Sequence, residues 1–333
     1  MFLVNLFIGA IVLPIAIHSL PRRHEPEEHQ MDLAGNALLA VVLLLVLVPL
    51  VEGRVSGWPA WSWLMLGLAG PAAAALWAWE ARLDRRGGEP VMQVGLLRAH
   101  RSFGMGQSLA LLYFAGFTSL FFTLSIVWQE GLGHSALEAG LLVLPFAIGS
   151  LLTASNSYRF SRRIGRKAIQ AGICGMLAGQ ALVLLVLWVS GTHLGFWALT
   201  GPLLLAGLGN GLVIAPNQDF VLSDVPRQQA GTAGGALITA QRLGAAIGIA
   251  VIGTALFGSS GGGSGSGSGG RPGAVLPMLV HNAQAATLVN LCFVLAALLC
   301  TFGLPRALGG SSEQPAPEQA AAGTSAVAAR AQR

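Results

Sequence analysis

Residues 33–51 read LAGNALLAVVLLLVLVPLV, nineteen positions without a charge. Coiled as a helix, such a run rises about 28 Å, close to the hydrocarbon thickness of a bilayer. Eight further runs of the same kind accompany it, giving nine expected crossings at 1–20, 33–51, 60–79, 103–129, 136–158, 168–190, 194–217, 230–257 and 280–304. Helices are preferred to barrel strands because the runs are long and continuously apolar, and a single helix satisfies its own backbone hydrogen bonds in lipid. The expected fold class is therefore an all-α polytopic membrane protein.

Composition agrees. Of 333 residues, 53% are hydrophobic and 10% charged, with a mean hydropathy of +0.65, against about 45–50% and about 25% in average soluble proteins. A soluble enzyme is excluded on that balance. Sixteen of the 19 basic residues fall in alternate loops and the tail if the first run passes from outside to inside; Arg54 and Arg271 lie outside, and Arg242 lies within the eighth run. Basic residues favour the cytoplasmic face, so the carboxy terminus is expected in the cytoplasm. The eight tryptophans lie near the ends of runs, where amphipathic rings favour the headgroup layer.

A pI near 9.9 is explained by these loops. With no basic domain or aromatic-interleaved RNA motif, no nucleic-acid partner is expected. Cys174, Cys292 and Cys300 all lie in apolar runs and read as small buried hydrophobes; neither a disulfide, a metal site nor a cofactor is expected. Motifs for metalloprotease or nucleotide chemistry are missing from the sequence, so no enzyme activity is expected. One Lys against 18 Arg, with abundant Ala and Gly, points to a bacterial source. The chain begins inside a hydrophobic run and meets its first Arg at position 22, unlike a secretory signal.

Between the runs, residues 80–102 are polar, residues 258–273 (GSSGGGSGSGSGGRPG) are a flexible external loop, natural or engineered, and residues 305–333 read as a disordered tail.

Several stretches carry a family resemblance: FLVN at 2–5 with FIG at 7–9, DLAG at 32–35, SALEAG at 135–140 with LP at 144–145, GLGNG at 207–211 with AP at 215–216, AGTAGG at 230–235 and LGAAIG at 243–248. In order and spacing they resemble the later part of a fourteen-helix drug:proton antiporter of the major facilitator superfamily. The resemblance implies a layout: 1–20 as the last helix of an amino-terminal half, 21–102 as two linker helices with their connector, and 103–304 as a complete six-helix half. Five preceding helices would then be missing. It further implies efflux of small lipophilic or cationic compounds by alternating access in a bacterial cell membrane, proton-coupled in the complete protein and complemented by an amino-terminal half. The rival expectation is a non-transporting membrane scaffold or subunit.

Arg242, near the middle of its run, costs about 2.5–3.5 kcal/mol on insertion scales. It either holds a polar substrate group, or a carboxylate from elsewhere, or makes a structural contact. Relatives place a basic residue here or one position earlier, where this chain has Gln241, and one residue turns a helical side chain by about 100°. Tyr113, Phe117 and Phe121 recur every fourth residue, a stripe that either stacks on flat lipophilic compounds, with Gln107 and Asn210 adding polar contacts, or packs internally. All 14 carboxylates are read as lying in loops, tail or near run ends. Among them Glu138 is a candidate outer proton acceptor, or simply a helix-end charge. In residues 159–167 (RFSRRIGRK), Arg163, Gly165, Arg166 and Lys167 resemble the family's cytoplasmic gating loop, but Arg162 stands where an Asp is usual; positive-inside anchoring is the plainer account. Gly231, Gly235, Gly244 and Gly248 give the eighth run two small-xxx-small pairs for close helix packing.

Overall fold

A computed structural model describes residues 9–10, 12–15, 17–18, 32–55, 57–85, 101–223, 225, 230–257 and 272–303. The chain divides into two units, Met1–Met31 and Asp32–Arg333. In the first, the described residues are helical; most of the expected first crossing lies outside the described residues, as do nearly all of 258–273 and the tail from 304 onward.

The second unit is built of helices α1 (Leu33–Val55), α2 (Ala60–Arg85), α3 (Arg101–Ile126), α4 (Ala136–Ile164), α5 (Arg166–Ser190), α6 (Phe196–Gly211), α7 (Ile214–Ser223), α8 (Ala230–Phe257) and α9 (Pro272–Thr301). They correspond to the second to ninth runs, the seventh being divided into α6 and α7 by a tight turn at Leu212–Val213. Among the described residues, eight segments are long and apolar enough to cross a membrane. Pro49, Pro71, Pro145 and Pro202 sit inside their helices, as neighbouring helices in lipid permit. Large apolar side chains point outward, Leu151 at 72% and Trp197 at 82% exposure, as surfaces that meet lipid or another protein do.

Local chemistry sets the helix starts. Asp32 caps α1, its Oδ1 accepting the Gly35 N–H at 2.8 Å, while Trp79 Nε1 of α2 donates to Asp32 Oδ2 at 3.1 Å. A β-carbon at Gly35 would collide with the Asp32 carboxylate and lie 3.1 Å from Glu80 Oε1, so the spacing in DLAG is that of a cap plus a close approach. Ser135 and Glu138 form a reciprocal capping box at the start of α4: the Ser135 N–H donates to Glu138 Oε2 at 2.7 Å, and the Glu138 N–H donates to Ser135 Oγ at 3.3 Å.

The last six crossings, with α6 and α7 sharing one, form two interlocked triads, α3 to α5 and α6 to α9. α6, the first helix of the second triad, packs between α4 and α5, and α3, the first of the first triad, packs between α8 and α9. Neither triad has a core alone, because each supplies the other's central helix. Glycine makes the approach possible: a β-carbon at Gly207 would strike the Phe146 carbonyl of α4, and one at Gly209 the Gly172 carbonyl of α5.

Three expectations are corrected. The loop at 159–167 shrinks to Gly165, whose φ of +55° is a left-handed turn suited to glycine; α4 runs to Ile164 and α5 starts at Arg166, because a polar sequence can extend a helix into the headgroup layer. Likewise α2 continues past residue 79 to Arg85, and Glu80 is fully buried within it, so a carboxylate does enter the end of a span. Cys174 and Cys292 are exposed and Cys300 is half-exposed, since lipid accepts small apolar side chains as readily as the interior does. Trp128 keeps its place at the end of its crossing, Ser102–Gly131, but its ring is buried and stacked on His134 at 4.7 Å instead of exposed at the surface.

Candidate functional site

Tyr113, Phe117 and Phe121 line one side of α3, because the two steps of four residues between them drift by only about 40° each. Tyr113 and Phe117 stack with ring centroids 6.1 Å apart and planes 9° from parallel; Phe117 and Phe121 meet edge-on at 5.3 Å. Phe146 of α4 closes the ladder, 5.7 Å from Phe117 and 4.8 Å from Phe121. Tyr113 is fully buried, whereas Phe117 and Phe121 are half-buried.

At the foot of the ladder the Tyr113 hydroxyl donates to Asn210 Oδ1 at 2.8 Å, and Asn210 Nδ2 donates to Ser150 Oγ at 2.9 Å. This relay joins the central helix of one packing group, α3, to α6 and α4 of the other. The structure thus brings four of the expected site residues together, Tyr113, Phe117, Phe121 and Asn210. Phe146 and Ser150 complete the group and escaped the sequence reading. They are four residues apart and so share a face of α4, but lipid-facing residues show the same spacing, and no signal separated them.

The other expected residues lie elsewhere. Gln107 is half-buried on α3, six residues or about 9 Å before Tyr113, and its Oε1 has no hydrogen-bond partner among the described residues. Arg242 is exposed and Gln241 half-buried. Gly244 and Gly248 meet α3, a β-carbon there colliding with the carbonyls of Leu111 and Ala115, and Arg242 stands about 200° around α8 from Gly244. Its guanidinium therefore belongs to the face turned from α3, away from the aromatic ladder. No described residue forms an ion pair with it. Gly231 and Gly235 have open space where a β-carbon would go, so among the described residues the close packing of α8 belongs to the second glycine pair alone.

Glu138 is exposed, with its carboxylate engaged in the capping box and 3.4 Å from His134 Nδ1. Arg163 and Lys167 are exposed, Gly165 is buried in its turn, and Arg166 donates to the Phe302 carbonyl at 3.2 Å. One turn on, Gln170 Nε2 donates to Thr301 Oγ1 at 3.1 Å, so the start of α5 is clipped to the end of α9. Two further amides are fully buried: Gln180, whose Nε2 donates to the Gly116 carbonyl at 3.5 Å, and Asn290, whose carbonyl oxygen lies beside Gly116. Among the described residues, no group of three or more His, Cys, Asp or Glu is placed to hold a metal.

What this arrangement offers is an aromatic wall in mid-bundle, with a hydrogen-bonded hydroxyl and carboxamide at one end. It has the chemistry of a binding surface for planar, largely apolar molecules.

Comparison with known proteins follows the same direction. The profile of the Major Facilitator Superfamily matches residues 1–249. The chain is 37% identical over 265 residues to the probable actinorhodin transporter of Streptomyces coelicolor, covering 78% of this chain and 45% of that protein. It is 28% identical to the multidrug resistance protein Stp of Mycobacterium tuberculosis, over 77% of this chain and 46% of the relative. It is 29% identical to a tetracycline resistance determinant of Streptomyces rimosus, over 68% of this chain and 64% of the relative. The chain thus spans about half the length of the first two relatives. Their names are those of transporters and resistance proteins, not enzymes, and their bacterial sources put a multi-pass chain of this kind in the cell membrane. With the family profile covering most of its residues, this chain belongs to the Major Facilitator Superfamily.

Proposed function

We propose that this chain forms the carboxy-terminal part of an efflux transporter that expels flat lipophilic or cationic compounds by alternating access. The observation that carries the reading is the ladder of Tyr113, Phe117, Phe121 and Phe146 with its Tyr113–Asn210–Ser150 relay. It sits in a chain of the Major Facilitator Superfamily whose relatives are named as an actinorhodin transporter and as multidrug and tetracycline resistance proteins. In this reading residues 103–304 are one transporter lobe, 21–102 the linker helices, and 1–20 the last helix of the other lobe. Proton coupling belongs to the complete assembly with an amino-terminal half.

The test is accumulation of a fluorescent lipophilic cation in an efflux-deficient bacterium. Expression of the chain together with an amino-terminal half should lower accumulation below that of the empty vector. Phe117→Ala and Phe121→Ala should each raise it, since losing an aromatic contact of about 1 kcal/mol weakens binding roughly fivefold. Accumulation equal to the vector in every case favours the scaffold reading.

The same reading puts the carboxy terminus and the end of α4 in the cytoplasm. In a background lacking Cys174, Cys292 and Cys300, Arg163→Cys should react with a membrane-impermeant maleimide only after permeabilisation, and Ser266→Cys in intact cells. Labelling in the reverse order overturns the orientation.

A further inference from the structure

We propose that Arg159 and Arg163 of α4 bind the phosphate of an anionic phospholipid, in the leaflet that borders this end of the helix. Helix α4 outruns its membrane-crossing segment Ala136–Ser157 by seven residues, to Ile164. At 1.5 Å per residue, Arg159 stands about 3 Å and Arg163 about 9 Å beyond that segment, within or just past a headgroup layer about 5–7 Å thick on each side. There a cleft of about 280 Å³ is lined by Asn156, Arg159, Phe160 and Arg163.

The face leading to it is also specific. Leu141, Ile148, Leu152, Arg159 and Arg163 follow one another at steps of seven and four residues, so they form a single stripe along α4. All five are exposed. An apolar strip ending in two guanidiniums complements a molecule with an acyl chain and an anionic head. Two arginines one turn apart can meet phosphate oxygens with paired N–H groups, which a lysine cannot. Neither forms an ion pair with a described carboxylate. Phe160 offers a wall for the glycerol region, and Asn156, which spends one N–H on Ser155 Oγ at 3.3 Å, has another to give. Arg166 is turned to the Phe302 carbonyl, so the pair is set apart from the basic residues that follow it. A soluble anion would explain the guanidiniums but not the strip.

The purified chain in neutral detergent is titrated with short-chain phosphatidylglycerol, phosphatidylcholine and inorganic phosphate, and binding is followed by native mass spectrometry. Phosphatidylglycerol should bind at least about tenfold more tightly than phosphatidylcholine, and Arg163→Gln should weaken it about tenfold. Lys167→Gln removes the same charge outside the cleft and should change it no more than about threefold. Both variants should elute as the wild type does. Three results overturn the proposal: inorganic phosphate binding as tightly as phosphatidylglycerol, which makes the site one for soluble anions; equal losses in the two variants, which makes the attraction diffuse; and no selective lipid binding, which leaves the stripe as a seat for another transporter lobe.

Discussion

Gly248→Leu is expected to unfold the contact between α3 and α8 while leaving the chain inserted in the membrane. A single β-carbon at Gly248 already collides with the Ala115 carbonyl, and Ser119 Oγ stands on the same side. The obstacle is backbone, which cannot turn aside as a flexible side chain can, so α8 must move bodily from α3. Overpacking of an ordinary core costs about 1–3 kcal/mol; here the loss should reach at least about 3 kcal/mol, because α3 is the central helix between α8 and α9 and both contacts depend on its position. Gly231→Leu is the control. Nothing stands near that position, and exchanging Gly for a better helix former is neutral or helpful by up to about 1 kcal/mol. Thermal unfolding and size-exclusion elution in detergent should separate the two: a lowered, broadened transition and aggregation for Gly248→Leu, wild-type behaviour for Gly231→Leu. Identical behaviour would show that α3 and α8 do not meet at Gly248. Sequence reading alone assigns both glycine pairs the same role; the structure predicts opposite outcomes.

The second large effect is expected at the Tyr113–Asn210–Ser150 relay. Asn210→Leu removes an acceptor from Tyr113 and a donor from Ser150 at once, leaving a fully buried hydroxyl without its partner. An orphaned buried group costs about 1–3 kcal/mol. Tyr113→Phe deletes the donor and strands Asn210 Oδ1, with a cost in the same range, and the stacked ring is kept. The double variant removes both ends of the bond, so it should be less destabilised than the two single losses combined. Coupling of about 0.5–3 kcal/mol marks an interacting pair, and interhelical bonds in membranes average near 0.6. Coupling indistinguishable from zero in thermal or denaturant unfolding would show that Tyr113 does not bond Asn210. Both single variants should also raise substrate accumulation in the efflux assay, since the relay holds the foot of the aromatic ladder in place.

Part of this site could be read before any contact was known. The four-residue recurrence of Tyr113, Phe117 and Phe121 puts them on one face whatever that face meets, and Asn210 stands out as a carboxamide in a glycine-rich helix. Phe146 and Ser150 could not be found the same way, because on α4 the faces toward α6 and toward lipid are both apolar. Glu80 differs for a related reason: a carboxylate at the end of an apolar run reads as solvated, whereas in the structure it is buried, with Gly35 of α1 close to its Oε1.

Which of the described segments are able to cross a bilayer was determined by the sequence alone. The membrane imposes a one-dimensional condition, about twenty apolar residues per helical crossing, and length with hydropathy answers it without any knowledge of neighbours. Which faces of those helices meet was decided only by tertiary structure. Lipid tails and protein interiors are equally apolar, so side-chain type does not distinguish a residue against lipid from one against a helix. Close approach and hydrogen bonding make that distinction, at Gly207, Gly244 and Gly248 against facing carbonyls and at Tyr113 against Asn210.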